Sequence, residues 1–248
     1  EDERGRADRA SRQVEQLTYY DGLTGLPNRS LFETRLAGHL PEAAVARQRY
    51  VVAAFGPDNP RQLREALGEG AVEVLLQRIA ARLRMLVPDP EPLVARIDGD
   101  RFAVAFGPVN GTEAAATRAQ ELRSRLDEAA GDVRSDLVFT SSAGIALYPD
   151  DAREAEGLVA AALSAQAAAS RDGGRRVEFY SLEQTRRGRD QLSLVADARR
   201  ALAGNGLELH YQPVLDMRHG GFRFVEALVR GNHPLRGPLG PGAFLPAM

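Results

Sequence analysis

Two short apolar runs, Leu93–Ile97 and Phe102–Phe106, are separated only by Asp98-Gly99-Asp100-Arg101. A gap that short, built on an Asp-Gly pair, is the spacing of neighbouring antiparallel strands, so a β-hairpin is predicted near the middle of the chain. A lone hairpin is barely stable in water and needs strands beside it. Tyr50–Phe55 (YVVAAF) is one candidate, closed by the turn residues Gly56-Pro57-Asp58-Asn59-Pro60; Leu137–Leu147 and Val177–Tyr180 are others. Helical patterns lie between them. Asn28 can cap a helix over Ser30–His39, and a long pattern runs through Leu63, Leu67, Val72, Leu75, Leu76, Ile79 and Leu83. Glu113–Ala129 and the Ala-rich Ala155–Ser170 complete the set. Strands alternating with helices around one tight hairpin predict an α/β (α+β) domain, a mixed sheet with helices on both faces.

The flanks read differently. Residues 3–19 are charged, with a thin seam of Ala7, Ala10, Val14 and Leu17, the pattern of a solvated connector helix. After Ser181 the register restarts with an Arg-rich helix, Arg186–Ala203, ended by Gly204-Asn205-Gly206. Two strands follow, Leu209–Leu215 and Phe222–Val229, and then a Gly/Pro-rich stretch from Gly231 to Met248 that offers no closing element. The expected organisation is a connector at 1–19, a domain at 20–181, and at 182–248 a helix and two strands of a domain that looks cut.

Composition removes several classes of function. With no Cys, a disulfide scaffold, a thiolate zinc site and a cysteine nucleophile are excluded. Net charge is −2, from 32 basic and 34 acidic residues, so no global basic field argues for DNA or RNA as a partner. Every basic residue is Arg, so an Arg standing where Lys is common carries little weight. His39, His210, His219 and His233 are dispersed and form no metal spacing. No apolar run approaches the ~20 residues of a membrane helix, and the N-terminus has no hydrophobic signal core. A cytoplasmic chain with no membrane partner in this segment is expected.

Asp21-Gly-Leu-Thr-Gly-Leu-Pro-Asn-Arg29 resembles the opening signature of the GGDEF (diguanylate cyclase) family, and Thr140-Ser-Ser-Ala-Gly-Ile-Ala-Leu-Tyr-Pro149 resembles its late strand signature. Asp98-Gly-Asp-Arg-Phe102 stands where that family's naming hairpin belongs, and the likeness covers about residues 18–181. Such a domain joins two GTP molecules by phosphoryl transfer, with Mg²⁺ held by hard carboxylate oxygens. The resemblance implies that the first-strand ligand position is Gly56, which has no ligand atom. The hairpin position is Asp100, still a carboxylate; next to it Arg101 reverses a charge, and Asp98 replaces a Gly, leaving Gly99. Arg64 falls on the guanine-reading position, Glu73 on its acidic helper, and Arg171 and Arg175 on two basic triphosphate positions. The product-inhibition signature would fall on Asp89 and Pro92 and is absent. The implied domain is degenerate: either a nucleotide pocket with phosphate anchors and no competent metal site, or a bare structural hairpin beside a solvated helix end.

Leu207-Glu-Leu-His-Tyr-Gln-Pro213, then Glu226-Ala-Leu-Val-Arg230 and Asn232-His-Pro234, resembles the start of an EAL phosphodiesterase domain over about residues 186–248. That family hydrolyses cyclic di-GMP with metal-activated water. By resemblance Glu226 is a metal ligand, Arg230 pairs with a phosphate, Gln212 is a ligand-proximal amide and Leu228 lines a guanine. Gly231 stands where a large aromatic is common, which removes no ligand. The remaining catalytic positions of that family would lie beyond Met248.

Together these likenesses imply bacterial cyclic di-GMP signalling, with a regulatory, degenerate GGDEF domain attached to a phosphodiesterase. Cyclic di-GMP is the expected partner, GTP a regulatory ligand, and Mg or Mn the cofactor of a complete EAL site. A homodimer and an upstream sensor domain fit the charged connector. The competing expectation is a non-catalytic cyclic di-GMP receptor or scaffold that acts through protein partners.

Overall fold

Tyr50–Pro57 forms strand β1, two residues longer than its apolar run, and Val51–Gly56 are all buried in the computed structural model. The structure describes residues 18–87, 93–131, 139–182, 207–216, 218, 220–233 and 237–239. The chain divides into two compact units, Glu1–Ser181 and Leu182–Met248.

A strand written as a continuous apolar run belongs in the centre of a sheet covered on both faces. In the first unit the hairpin is β2 (Val94–Asp98) and β3 (Arg101–Phe106). β1 pairs antiparallel with β3, from Val51 opposite Phe106 to Phe55 opposite Phe102. On its other side it pairs antiparallel with β4 (Ser141–Tyr148), and β5 (Val177–Phe179) adds to β4 in parallel. The sheet order is β2-β3-β1-β4-β5. The two-residue period of β1 then splits the core. Val51, Ala53 and Phe55 face Leu75 and Leu83 of α3 (Glu69–Leu86) and Leu122 and Leu126 of α4 (Thr112–Gly131). Val52 and Ala54 face Phe32 and Leu36 of α1 (Arg29–Val45) and Leu158 and Ala162 of α5 (Ala155–Arg171). This is the mixed sheet with helices on both faces that the pattern predicts.

Three local features depart from the predicted elements. The Asn28 side chain does cap α1, accepting from the Leu31 N–H at 3.1 Å, but the helix runs through Pro41 to Val45. Burial of Leu40 and Ala43 on either side of Pro41 outweighs the missing N–H. The long pattern from Leu63 to Leu83 is two helices, α2 (Pro60–Leu67) and α3, broken at Gly68, whose φ of 77° is in the left-handed region. In the hairpin the two central turn residues are Gly99 and Asp100, with Asp98 opposite Arg101. Gly99 has φ 42°, placing Gly first as a type II′ turn requires.

One close approach sets the position of α5. A Cβ built on Gly144 of β4 would stand 2.0 Å from the Gln166 backbone N, 2.2 Å from the Ala162 carbonyl O and 2.6 Å from the Ala165 carbonyl C. The helix backbone therefore lies directly on the strand, which only glycine permits.

The second unit is a three-stranded antiparallel sheet of β6 (Leu207–Asp216), β7 (Gly221–His233) and β8 (Gly237–Leu239). β8 lies in the Gly/Pro-rich stretch where no strand was predicted; it extends β7, with Gly231 opposite Leu239. The predicted helix Arg186–Ala203, its Gly204-Asn205-Gly206 end, residues 3–17 of the connector, and Asp89 and Pro92 lie outside the described residues.

Gly144→Ala is expected to destabilise the first unit by about 3 kcal/mol or more, since the added methyl meets helix backbone rather than a movable side chain. Urea unfolding of the variant against the native chain measures this directly.

Candidate functional site

The charged end of the hairpin is tied to the opening loop by one guanidinium. Asp21 Oδ1 accepts from the Thr24 N–H at 2.8 Å and the Thr24 hydroxyl at 2.7 Å. Arg96 of β2 donates through NH1 to both Asp21 oxygens, at 3.0 and 3.1 Å, and through Nε to the Gly99 carbonyl at 2.8 Å. Burial pushes the Asp21 carboxyl up, but the Thr24 hydrogen bonds and Arg96 outweigh it and hold the group below its ordinary value of 3.8.

At the tip, both acidic residues meet arginines of this chain. Arg101 grips Asp98 with two bonds of 2.6 Å each, from Nε and NH2. Asp100 is only 8% exposed and accepts from Arg64 NH2 of α2 at 2.5 Å. Arg64 also lies 3.5 Å from Glu69. The Asp100 hydrogen bond, then its charge, raise the Arg64 guanidinium above its ordinary range. Glu73, on the exposed side of α3, makes no hydrogen bond or ion pair among the described residues.

Gly56 lies near the end of β1 opposite Ser142, on the face that α5 covers. A Cβ built there would stand 3.0 Å from Gln166 Nε2 and 3.1 Å from Arg101 Cγ. The hairpin carboxylates are thus paired with cations of this chain, and position 56 of β1 supplies no third carboxylate. Among the described residues no group of three His, Cys, Asp or Glu side chains could hold a metal ion. These residues do not fit a divalent cation, which requires several converging oxygens.

Arg171 ends α5, and Arg175 sits in the following turn with φ 56°, a left-handed conformation uncommon outside glycine. Both are exposed, and neither side chain makes an ion pair or hydrogen bond among the described residues. What holds this turn is Asp58. Its carboxylate accepts from the Arg175 N–H at 3.0 Å and from the Ser142 hydroxyl at 2.5 Å, and its carbonyl accepts from the Ser170 hydroxyl at 3.0 Å. Beneath it, Arg123 and Asp127 form a half-buried pair at 2.7 Å, and the Ser141 hydroxyl donates to Asp127 at 2.6 Å. Burial pushes the Asp127 carboxyl up against the pull of Ser141 and Arg123, and the charge of Asp58 adds to the rise.

In the second unit, strand register assembles the expected residues. Gln212 lies opposite Glu226, His210 opposite Leu228, and Glu208 opposite Arg230. With a period of two, Gln212, Glu226, Leu228 and Arg230 share one face of the β6–β7 hairpin, while Leu209, Tyr211, Val225 and Val229 share the other.

Sequence reasoning missed Asp58, Gln166, Arg96 and the role of Asp21. Asp58 is hidden in a run of turn residues, and Gln166 stands in an alanine-rich helix where only its polarity among Ala165, Ala167, Ala168 and Ala169 signals it.

This five-stranded mixed sheet with a two-residue hairpin at its charged end is the fold of GGDEF domains. It superposes on the GGDEF domain of TpbB (YfiN) from Pseudomonas aeruginosa with a TM-score of 0.58 at 29% identity, covering 68% of this chain and 98% of that one. Residues 18–176 match the family model described as diguanylate cyclase, GGDEF domain, and the chain belongs to that family. Residues 195–248 match the EAL domain. Among curated proteins the chain is similar to the cyclic di-GMP phosphodiesterase NbdA of Pseudomonas aeruginosa, 32% identical over 96% of this chain and 30% of that protein. It is also similar to the bifunctional diguanylate cyclase/cyclic di-GMP phosphodiesterase MucR of the same organism, 34% identical over 96% of this chain and 34% of that protein. The chain spans about a third of the length of these relatives.

Because the Asp21 carboxyl is held low, its contribution to stability is present above the ordinary aspartate value and is lost as pH falls through the folded value. Asp21→Asn is therefore expected to be less stable than the native chain at about pH 7, with the difference closing towards about pH 2. Urea unfolding of both chains across that range checks the sign.

Proposed function

We propose that the chain serves cyclic di-GMP signalling, with a GGDEF domain that regulates and does not synthesise. The observation that carries this is the hairpin tip: Arg64 and Arg101 hold Asp100 and Asp98, and Gly56 brings no ligand atom. Phosphoryl transfer between two GTP molecules depends on a cation bridging triphosphate and carboxylates. Guanidiniums already paired with those carboxylates compete with a cation for them, and position 56 adds no carboxylate, so no synthetic step is routed through this site.

The basic end remains available for a ligand. Arg171 and Arg175 are exposed and their side chains unengaged among the described residues, and Asp58 clamps the turn that carries Arg175. Their chemistry suits the triphosphate of GTP, bound as a regulatory ligand without a divalent cation. The second unit is read as the substrate-facing start of a cyclic di-GMP phosphodiesterase, a reading supported by the EAL match and by the likeness to NbdA. There Gln212, Leu228 and Arg230 would contact the dinucleotide and Glu226 would ligate Mg or Mn. One carboxylate does not make a two-metal centre, so the hairpin's own contribution is orientation: Glu226 and Arg230 project on the same face, two pairs apart. Among the described residues no helix is long and apolar enough to cross a membrane, which suits work in the cytoplasm beneath a sensor.

Incubated with GTP and Mg²⁺ or Mn²⁺, the chain is expected to form no cyclic di-GMP above a protein-free blank; product formation overturns the regulatory reading. Calorimetry with GTP in chelator is expected to show binding that weakens at least about tenfold in Arg171→Ala/Arg175→Ala, since each charge-assisted phosphate contact contributes about 1.5–3 kcal/mol. No heat at millimolar GTP favours the scaffold reading instead. In the whole protein, Glu226→Ala is expected to abolish cyclic di-GMP hydrolysis and leave GTP binding unchanged.

A further inference from the structure

We infer that Gln166 is a plug: its carboxamide fills the notch at the end of β1 and, with Arg101, closes the cyclase-type metal position against any side chain or ion. The inference deepens the regulatory reading and rests on it for the meaning of that position, but it is carried by geometry of its own.

Gln166 is only 4% exposed, and its carboxamide makes no hydrogen bond with any described residue. A buried amide without partners is costly, and among the described residues Gln166 is the one buried helix amide. Two glycines on one face of the sheet explain how it comes to lie there. Gly144, opposite Ala54, lets the α5 backbone touch β4; Gly56, opposite Ser142, leaves the space into which the side chain then projects. Gln166 Nε2 and Arg101 Cγ stand 3.0 and 3.1 Å from where a Cβ on Gly56 would be. A side chain at position 56 would meet both at once, and each would have to give by a few tenths of an ångström. Arg101 is itself tethered to Asp98, so it does not give way freely. Loss of the ligand at Gly56 and occupation of its space by Gln166 are therefore one change in packing, and restoring the acid alone does not restore a site.

The test compares two 248-residue chains that differ only at position 166. The first carries Gly56→Asp, Arg64→Asn and Arg101→Glu; the second adds Gln166→Ala. Mn²⁺ binding is read by electron paramagnetic resonance without nucleotide. The second chain is expected to bind one additional ion at least about tenfold more tightly than the first, the scale on which neighbours of a metal ligand act. That gain should vanish on Asp100→Asn. Equal Mn²⁺ affinity in the two chains, or no binding in either, overturns the plug. A second readout requires fewer substitutions. Because the chain has no cysteine, Gly56→Cys supplies a unique thiol. Its reaction with a maleimide is expected to be roughly tenfold faster when Gln166→Ala is added, since thiol reactivity follows exposure. A rate independent of residue 166 overturns the proposal. Neither readout involves GTP turnover, so this inference and the regulatory reading fail on separate measurements.

Discussion

The contact of the α5 backbone with β4 at Gly144 determines most of what lies at the charged end of the first unit. A helix normally stands off a sheet by the length of two side chains; here the glycine removes one of them. The closer helix brings Gln166 down to β1 and carries its own C-terminus to the end of the sheet, where Asp58 takes hold of the next turn. Small side chains follow from the same constraint. Ala161, Ala162, Ala165, Ala168 and Ala169 are all buried, small side chains that suit so close an approach to the strands. The alanine-rich composition of α5 thus reflects distance as much as helix propensity.

Electrostatics at the hairpin obey a simple rule of pairing. Three carboxylates and three guanidiniums, Asp21 with Arg96, Asp98 with Arg101 and Asp100 with Arg64, stitch the turn to the opening loop, to itself and to α2. Only Asp100 is deeply buried, and it receives the shortest contact. A buried charge without a partner is far more costly than an exposed one, so Arg64 has a structural role whatever else it does. Arg101 lays its stem beside Gly56 and pairs its guanidinium with Asp98 across the turn.

Much of the fold was legible because its signals are periodic. The continuous apolar run of β1, the four-residue gap of the hairpin and the Asn28 cap each have one physical reading, and the structure has all three. The division of the long helix at Gly68 was harder to see. Apolar spacing changes from four residues to five between Leu67 and Val72, a small signal against an otherwise regular pattern. β8 was invisible because Gly237-Pro238-Leu239 contains no strand-forming pattern and pairs only through β7. At the site, the positions along the hairpin and on β6 and β7 were named by the family resemblance, whereas Asp58 and Gln166 were named by neither resemblance nor pattern. Both act across the sheet on residues more than a hundred positions away in the chain, and no local pattern encodes such contacts.

The guanidiniums at the hairpin tip are covalently part of the polypeptide. A bound metal comes and goes with its free concentration, and a chelator can strip it; Arg64 and Arg101 arrive when the chain is synthesised and leave only when it unfolds. The charges paired at this turn therefore belong to one molecule, and their pairing has no concentration dependence of its own.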